Sequence, residues 1–349
     1  MVVDILQNPW RGKGIPGLGP MPADDPAPVL ALLDQCPAHA QTPLVRADTL
    51  AHEAGIAQLW IKDERGRMGL GSFKALGAAY VIARDAAAAG GPWETALTGA
   101  TYVTASAGNH GMSVAAGARL FGAQAVVYIA QTVPDSFAER LRAMGARVVR
   151  EGPTYEDSME AAEKAARDEG MRLLSDGSWP GYTDPPYHVM EGYLNLAAEA
   201  VAQMDAPPTH ILLQAGVGGL AAAVAAHARR AWGDGPTIIV VEPEAAPALI
   251  ESIRAGRIVE TEGPVSSMGR LDCKVPSMIA LAGLARDADA FVTISEAEAA
   301  EGCVTLAAHG MPTSPSGGAG LCALLSGGTG IAPDARVLCI MSEGMTEGD

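Results

Sequence analysis

YVTASAGNHGMSVAAGARLFGAQAVVYIA, Tyr102 to Ala130, holds two β-prone runs separated by a run of helical character. YVTASA (102–107) and AVVYIA (125–130) have the length and the β-branched and aromatic content of buried strands. The segment between them is built of small, helix-compatible residues, and Gly122 stands where a helix ends before the second strand. A strand, a helix and a strand in so short a span make the unit of a parallel sheet, whose crossover covers one face.

The same alternation extends outward. ARVVR (146–150) follows the helix-like VPDSFAERLRAMG, and MRLLS (171–175) follows TYEDSMEAAEKAARDEG. It then restarts with THILLQA (209–215), TIIVVEP (237–243), AFVTISE (290–296) and RVLCIMSEG (336–344), with AAAVAAHARRAWG and AEAAEGCVTLAAHG as intervening helices. NLAAEAVAQMDAPP separates the series, a helix closing in a Pro-rich break, so a boundary is expected near residue 190. A chain of 349 residues exceeds one compact core. The expected fold class is α/β, with two parallel-sheet three-layer domains and a ligand cleft at the carboxyl ends of their strands. The Pro/Gly-rich GKGIPGLGPMPADDPAP (12–28) reads as an extended arm.

Charge narrows the function. The formal net charge is −16, which argues against nucleic acid and against anionic membrane surfaces, since both need a basic face. HILLQAGVGGLAAAVAAHARR (210–230) is broken by polar residues and glycine, so it reads as strand plus helix and not as a membrane span. Cys36, Cys273, Cys303, Cys322 and Cys339 are scattered and form no CxxC. Neither a disulfide framework nor a metal site is expected, and reduced thiols in a cytoplasmic protein are. The opening MVVDILQNPWRGKG carries Asp4 and no long apolar run, unlike a signal peptide.

Four short stretches stand out between the elements. QAGVGGLAAAV (214–224) turns from a strand into a helix, and Gly216, Gly218 and Gly219 let backbone N–H groups face an anion. It lacks the GK[ST] of a Walker loop and the GxGxxG spacing of a dinucleotide fingerprint, and alone it also fits a plain tight turn. SAGNHG (106–111) could hold a carboxylate, or could simply cap a helix. PTSPSGGAG (312–320) reads as a loop, and CIMSEG (339–344) ends a buried strand with Ser342. GLGSFKALGA (69–78) sets one lysine, Lys74, among small and apolar neighbours, where an ammonium is costly. A snorkelling surface lysine is the bland alternative.

Taken together and in this order, these motifs resemble the fold-type II enzymes that use pyridoxal 5′-phosphate, the family of tryptophan synthase β and threonine dehydratase. KDERGRMGLGSFKALGA (62–78), SAGNHG, QAGVGG, MGRLDCKVPS (268–277) and the terminal SEG carry the likeness. SDGSWPGYTDPPYHVMEGY (175–193) points to the diaminopropionate ammonia-lyase branch. The resemblance implies a large cofactor-binding domain of residues 1–45 and 193–349, a smaller mobile domain of 46–192, and a homodimer. It implies that Lys74 forms the imine with the cofactor aldehyde and acts as general base, a dry pocket easing loss of its proton. Gly216, Val217, Gly218, Gly219 and Leu220 resemble the phosphate loop, Asn109 the partner of the ring hydroxyl, and Ser342 the hydroxyl facing the pyridine nitrogen. Ser106, Ala107, Gly108 and Asn109 resemble the loop that binds the substrate carboxylate. Asp176 resembles a carboxylate near the substrate, able to bind or protonate a β-ammonium group; it also fits an ordinary turn aspartate.

The implied activity is β-elimination from a small L-amino acid, with 2,3-diaminopropionate going to pyruvate and ammonia. Ala107 stands where that branch places an aspartate associated with the D-enantiomer, and SAGNHG is the form of the serine/threonine dehydratases. An L-substrate is therefore expected. Serine, threonine or hydroxyaspartate dehydration, β-replacement on the same scaffold, and a binding protein without chemistry are the alternatives.

Overall fold

The structure is a computed structural model that describes residues 4–345. Its strands are β1 (Asp4–Gln7), β2 (Leu44–Arg46), β3 (Gln58–Asp63), β4 (Thr101–Ala105), β5 (Gln124–Ile129), β6 (Arg147–Arg150), β7 (Arg172–Leu173), β8 (His210–Gln214), β9 (Thr237–Pro243), β10 (Ala290–Ile294) and β11 (Arg336–Met341). They form a seven-stranded sheet in the order β1-β10-β9-β8-β11-β3-β2 and a four-stranded sheet in the order β6-β5-β4-β7. Every pairing is parallel except those of the edge strands β1 and β2, which run antiparallel to β10 and β3. The two antiparallel edges were not expected from the sequence.

Alternation along the central strands assigns their two faces. Ile211 and Leu213 of β8 join one apolar cluster while Leu212 joins another, and Ile238 and Val240 of β9 divide from Ile239 and Val241 in the same way. Both faces of the large sheet are covered, which is why its strands read as continuous apolar runs. The first cluster continues into the smaller sheet through Val127 and Ile129 of β5. On that sheet's other face, Val103, Val126 and Tyr128 pack against Ala162 and Ala165 of the Tyr155–Glu169 helix.

Sheet membership shifts the smaller unit's start. Strand β3 pairs with β11, Ile61 opposite Cys339, so residues 58–63 belong to the large sheet although they lie inside the expected 46–192. The Asp184–Gln203 helix runs unbroken through the expected division at 192/193. The N-terminal segment is extended, without helix or strand from residue 12 to 26, and it is tied to the large domain. The Asn8 amide donates to Ala285 O at 2.9 Å and Ala288 O at 2.7 Å, the Trp10 indole donates to Ile253 O at 2.8 Å, and Ile15 is buried.

A fully enclosed ionic network underlies the turn that follows β3. Glu64 and Arg67 of the Glu64–Gly69 turn, Lys62 of β3 and Glu199 of the Asp184–Gln203 helix are all buried. Arg67 Nε donates to Glu64 Oε2 at 2.7 Å and Nη2 to Glu199 Oε2 at 2.8 Å, while Lys62 Nζ donates to Glu199 Oε2 at 2.6 Å. Two cations and two anions close on each other, so no net charge is left in the interior.

Candidate active site

Lys74 sits in a short turn, Phe73–Leu76, whose first amides are satisfied in part by Ser72: its hydroxyl accepts from Lys74 N at 3.3 Å. The turn is stitched to the end of β11, where Phe73 N donates to Ser342 O at 3.0 Å and Gly344 N to Gly71 O at 3.1 Å. On its other side lies the Asp184–Gln203 helix. A Cβ on Gly192 would come 2.2 Å from Leu76 O, so only glycine lets the helix approach this closely. That approach seats the Tyr193 ring edge-on to Phe73, with centroids 4.8 Å apart.

The Lys74 ammonium pairs with the Asp176 carboxylate. Their side chains keep 21 % and 19 % of their surface in an otherwise buried setting, so they line a cavity and not packed core. Burial alone would lower Lys74, but Asp176 and then Tyr193 reverse the effect and hold it above its ordinary range. This corrects the expectation of an easily deprotonated lysine, because the neighbouring charge here is an anion. Burial likewise works against the Asp176 carboxylate, and Lys74 followed by His110 outweighs it, holding the group well below the usual carboxylate range. Asp176 is held in place by its loop. Two residues on, the Ser178 hydroxyl accepts from Ile279 N at 2.9 Å, docking the loop on the first turn of the Met278–Asp287 helix.

The glycine turn lies against the same cavity. Gly218 has φ +98°, a conformation costly for any other residue, and caps the Gly219–Trp232 helix, whose first-turn amides have no earlier turn to bond to. A Cβ on Gly216 would meet Cys273 Sγ and Leu271 Cα at 3.0 Å, so a side chain there would fill the cradle. The Cys273 thiol is pushed up to about 12, by burial first and Asp176 next, which ties the turn to the Lys74–Asp176 pair.

The remaining expected residues arrive from two elements. At the N-terminus of the Asn109–Leu120 helix, the Ser106 hydroxyl accepts from Gly108 N at 3.2 Å and Gly111 N at 3.0 Å, so it caps the helix itself. Ala107 is exposed, and Gly108 lies against Arg270. The Asn109 amide donates to Glu343 Oε2 at 2.6 Å, next in sequence to the buried Ser342, whose N–H donates to Gly317 O at 3.1 Å.

Three neighbours were missed by sequence reasoning. Glu343 also accepts from Ser314 Oγ and pairs with Arg270 at 3.2 Å, bridging both strand ends. Tyr155 begins a helix that reads as surface and is 46 % exposed, yet desolvation, then the charges of Asp176 and Cys273, raise its phenol, so it lies on the side of the helix toward the Lys74–Asp176 pair. Tyr193 looks like an ordinary core aromatic, and only Gly192 before it signals close packing. His110, which sequence reasoning set aside as packed or capping, joins the pair: Nε2 donates to Leu174 O at 2.8 Å, and burial lowers the imidazole.

These residues fit pyridoxal phosphate. A lysine faces a cavity, a glycine cradle opens a helix beside it, and the Tyr193 hydroxyl is buried there with no acceptor for its own proton. Two parallel sheets with this lysine at their junction define the class, a fold-type II pyridoxal-phosphate protein. The family model described as "Pyridoxal-phosphate dependent enzyme" matches residues 36–343, and the chain belongs to that family. It is 33 % identical over 296 residues to diaminopropionate ammonia-lyase of Salmonella typhimurium, covering 78 % of this chain and 73 % of that protein. It is 28 % identical over 226 residues to L-threonine ammonia-lyase of Thermotoga maritima, covering 64 % and 54 %. Among solved structures, diaminopropionate ammonia lyase from Escherichia coli, in complex with an aminoacrylate-PLP azomethine reaction intermediate, superposes with a TM-score of 0.86 at 29 % identity, covering 99 % of this chain and 94 % of that one.

Proposed function

We propose that this protein is a carbon-nitrogen lyase that eliminates the β-substituent of a small L-amino acid, with 2,3-diaminopropionate and water giving pyruvate and two molecules of ammonia. The observation that carries the reading is the pairing of Lys74 with Asp176 inside the cavity. Bound pyridoxal phosphate supplies the electron sink that acidifies the α-proton. Lys74 Nζ takes that proton as general base, as the neutral amine it becomes once the substrate's charged β-amine replaces it as the partner of Asp176. The Asp176 carboxylate holds the amine on the substrate's β-carbon in its charged form, which departs as ammonia without a further proton. Gly216, Val217, Gly218, Gly219 and Leu220 hold the phosphate on backbone N–H groups and the helix N-terminus. Asn109 orients the ring hydroxyl; its amide direction is fixed because Glu343, an acceptor only, must face the NH₂. Ser342 offers a neutral hydroxyl to the ring nitrogen, which favours prompt loss of a β-substituent over transamination. Ser106, Ala107, Gly108 and Asn109 receive the substrate carboxylate, with no acid at position 107 to serve the D-enantiomer.

Homodimeric assembly and a cytoplasmic location belong to the same reading. All five cysteines are free thiols, in keeping with a reducing compartment, and no helix among the described residues is long and apolar enough to cross a membrane. Ala107 also favours a second reading, dehydration of serine or threonine. The test is a panel of L- and D-2,3-diaminopropionate, L-serine and L-threonine scored for ammonia and 2-oxo acid. Two ammonias per pyruvate, from the L-diamino acid, are expected. One ammonia per 2-oxo acid from the hydroxy acids alone would assign the dehydratase, and no release from any of them would refute both readings.

A further inference from the structure

Tyr193 has only 1 % of its surface exposed, and the one group that reaches its hydroxyl, the Lys74 ammonium, is itself a donor, so the phenol's own proton is left without an acceptor. Phenylalanine would pack in the same place without burying a polar group, so packing does not account for the oxygen. Three neighbours fix the ring. Phe73 meets it edge-on, a Cβ on Gly77 would come 2.8 Å from its oxygen, and a Cβ on Gly219 would come 3.5 Å from its Cε2. The ring therefore spans from the lysine turn to the first residue of the Gly219–Trp232 helix. Burial, opposed by the Lys74 ammonium, leaves the phenol pushed up to about 12, so near neutral pH it is a donor in want of an acceptor. Lys74 as an ammonium has no acceptor to offer. An anion at the glycine turn has several.

We infer that Tyr193 donates a hydrogen bond to the phosphate monoester of the cofactor, adding a side-chain donor to the backbone amides of Gly216–Leu220. The inference rests on the reading that this site takes pyridoxal phosphate. Its test compares the cofactor with pyridoxal, which lacks the phosphate, by titrating apoprotein and following cofactor absorbance. Tyr193→Phe is expected to weaken pyridoxal phosphate about 10- to 100-fold, the range for a hydrogen bond to a charged group, and to leave pyridoxal within about twofold. Equal weakening of both, or none for pyridoxal phosphate, overturns the assignment. Wild-type protein that binds neither compound refutes the cofactor reading itself, a distinguishable failure. Should Tyr193→Phe not fold, 3-fluorotyrosine placed at position 193 gives the same answer by fluorine NMR. Pyridoxal phosphate should move the resonance further than pyridoxal does, and equal movement overturns the inference.

Discussion

Lys74 and Asp176 set each other's charge. Each is driven toward neutrality by burial, and each is held ionised by the other. Removing the carboxylate charge in Asp176→Asn should leave cofactor binding intact, because the lysine remains, while the rate of β-elimination at saturating cofactor falls at least about 100-fold for want of the anion that keeps the leaving amine charged. An unchanged rate would assign Asp176 to structure alone. Ala107 makes a second prediction at this scale. Wild-type protein should favour the L- over the D-diamino acid in kcat/KM, and Ala107→Asp should raise turnover of the D-form. Equal use of both by the wild type would contradict the role given to this position.

The elements that carry these residues depend on close backbone approaches. Gly192→Ala drives a methyl group into Leu76 O, so the helix must retreat from the lysine turn, at a cost of about 1–3 kcal/mol read as a lowered Tm. Gly218→Ala meets both a left-handed backbone and Ala280 Cβ at 3.0 Å, and should weaken pyridoxal phosphate while sparing the sheets, as far-ultraviolet circular dichroism would show. Both glycines lie in motifs visible in the sequence, and so do the strands β4, β5 and β8–β11, because buried parallel strands are continuous apolar runs, while the half-exposed β6 and β7 are marked by the helices that precede them. Strands β1 and β2 are short edges, and the pattern of β3 is hidden by Lys62, whose partner Glu199 lies 137 residues away. The site divides in the same way. Lys74, the glycine turn and Asn109 stand in local motifs, whereas Glu343, Tyr155 and Tyr193 gain their place only from long-range packing.

Across the whole molecule, the network of Lys62, Glu64, Arg67 and Glu199 ties the large sheet to the helix that carries Tyr193. Glu199→Gln removes one charge from a sealed set and should cost about 3–5 kcal/mol by denaturant unfolding. Burial opposes the Glu199 carboxylate, but Arg67 and Lys62 prevail and hold it at about 2 against an ordinary 4.5. A carboxylate lowered on folding stabilises above its unfolded value, and that contribution fades as pH falls through the folded one. Wild-type stability should therefore decline between about pH 4.5 and 2, and Glu199→Gln should decline less over that window. All of this architecture serves to hold one amine in a cavity between two sheets. The most direct test is to reduce the cofactor-loaded protein with borohydride and map the modified peptide by mass spectrometry. The phosphopyridoxyl group is expected on Lys74; its attachment to any other lysine, or to none, would contradict the assignment.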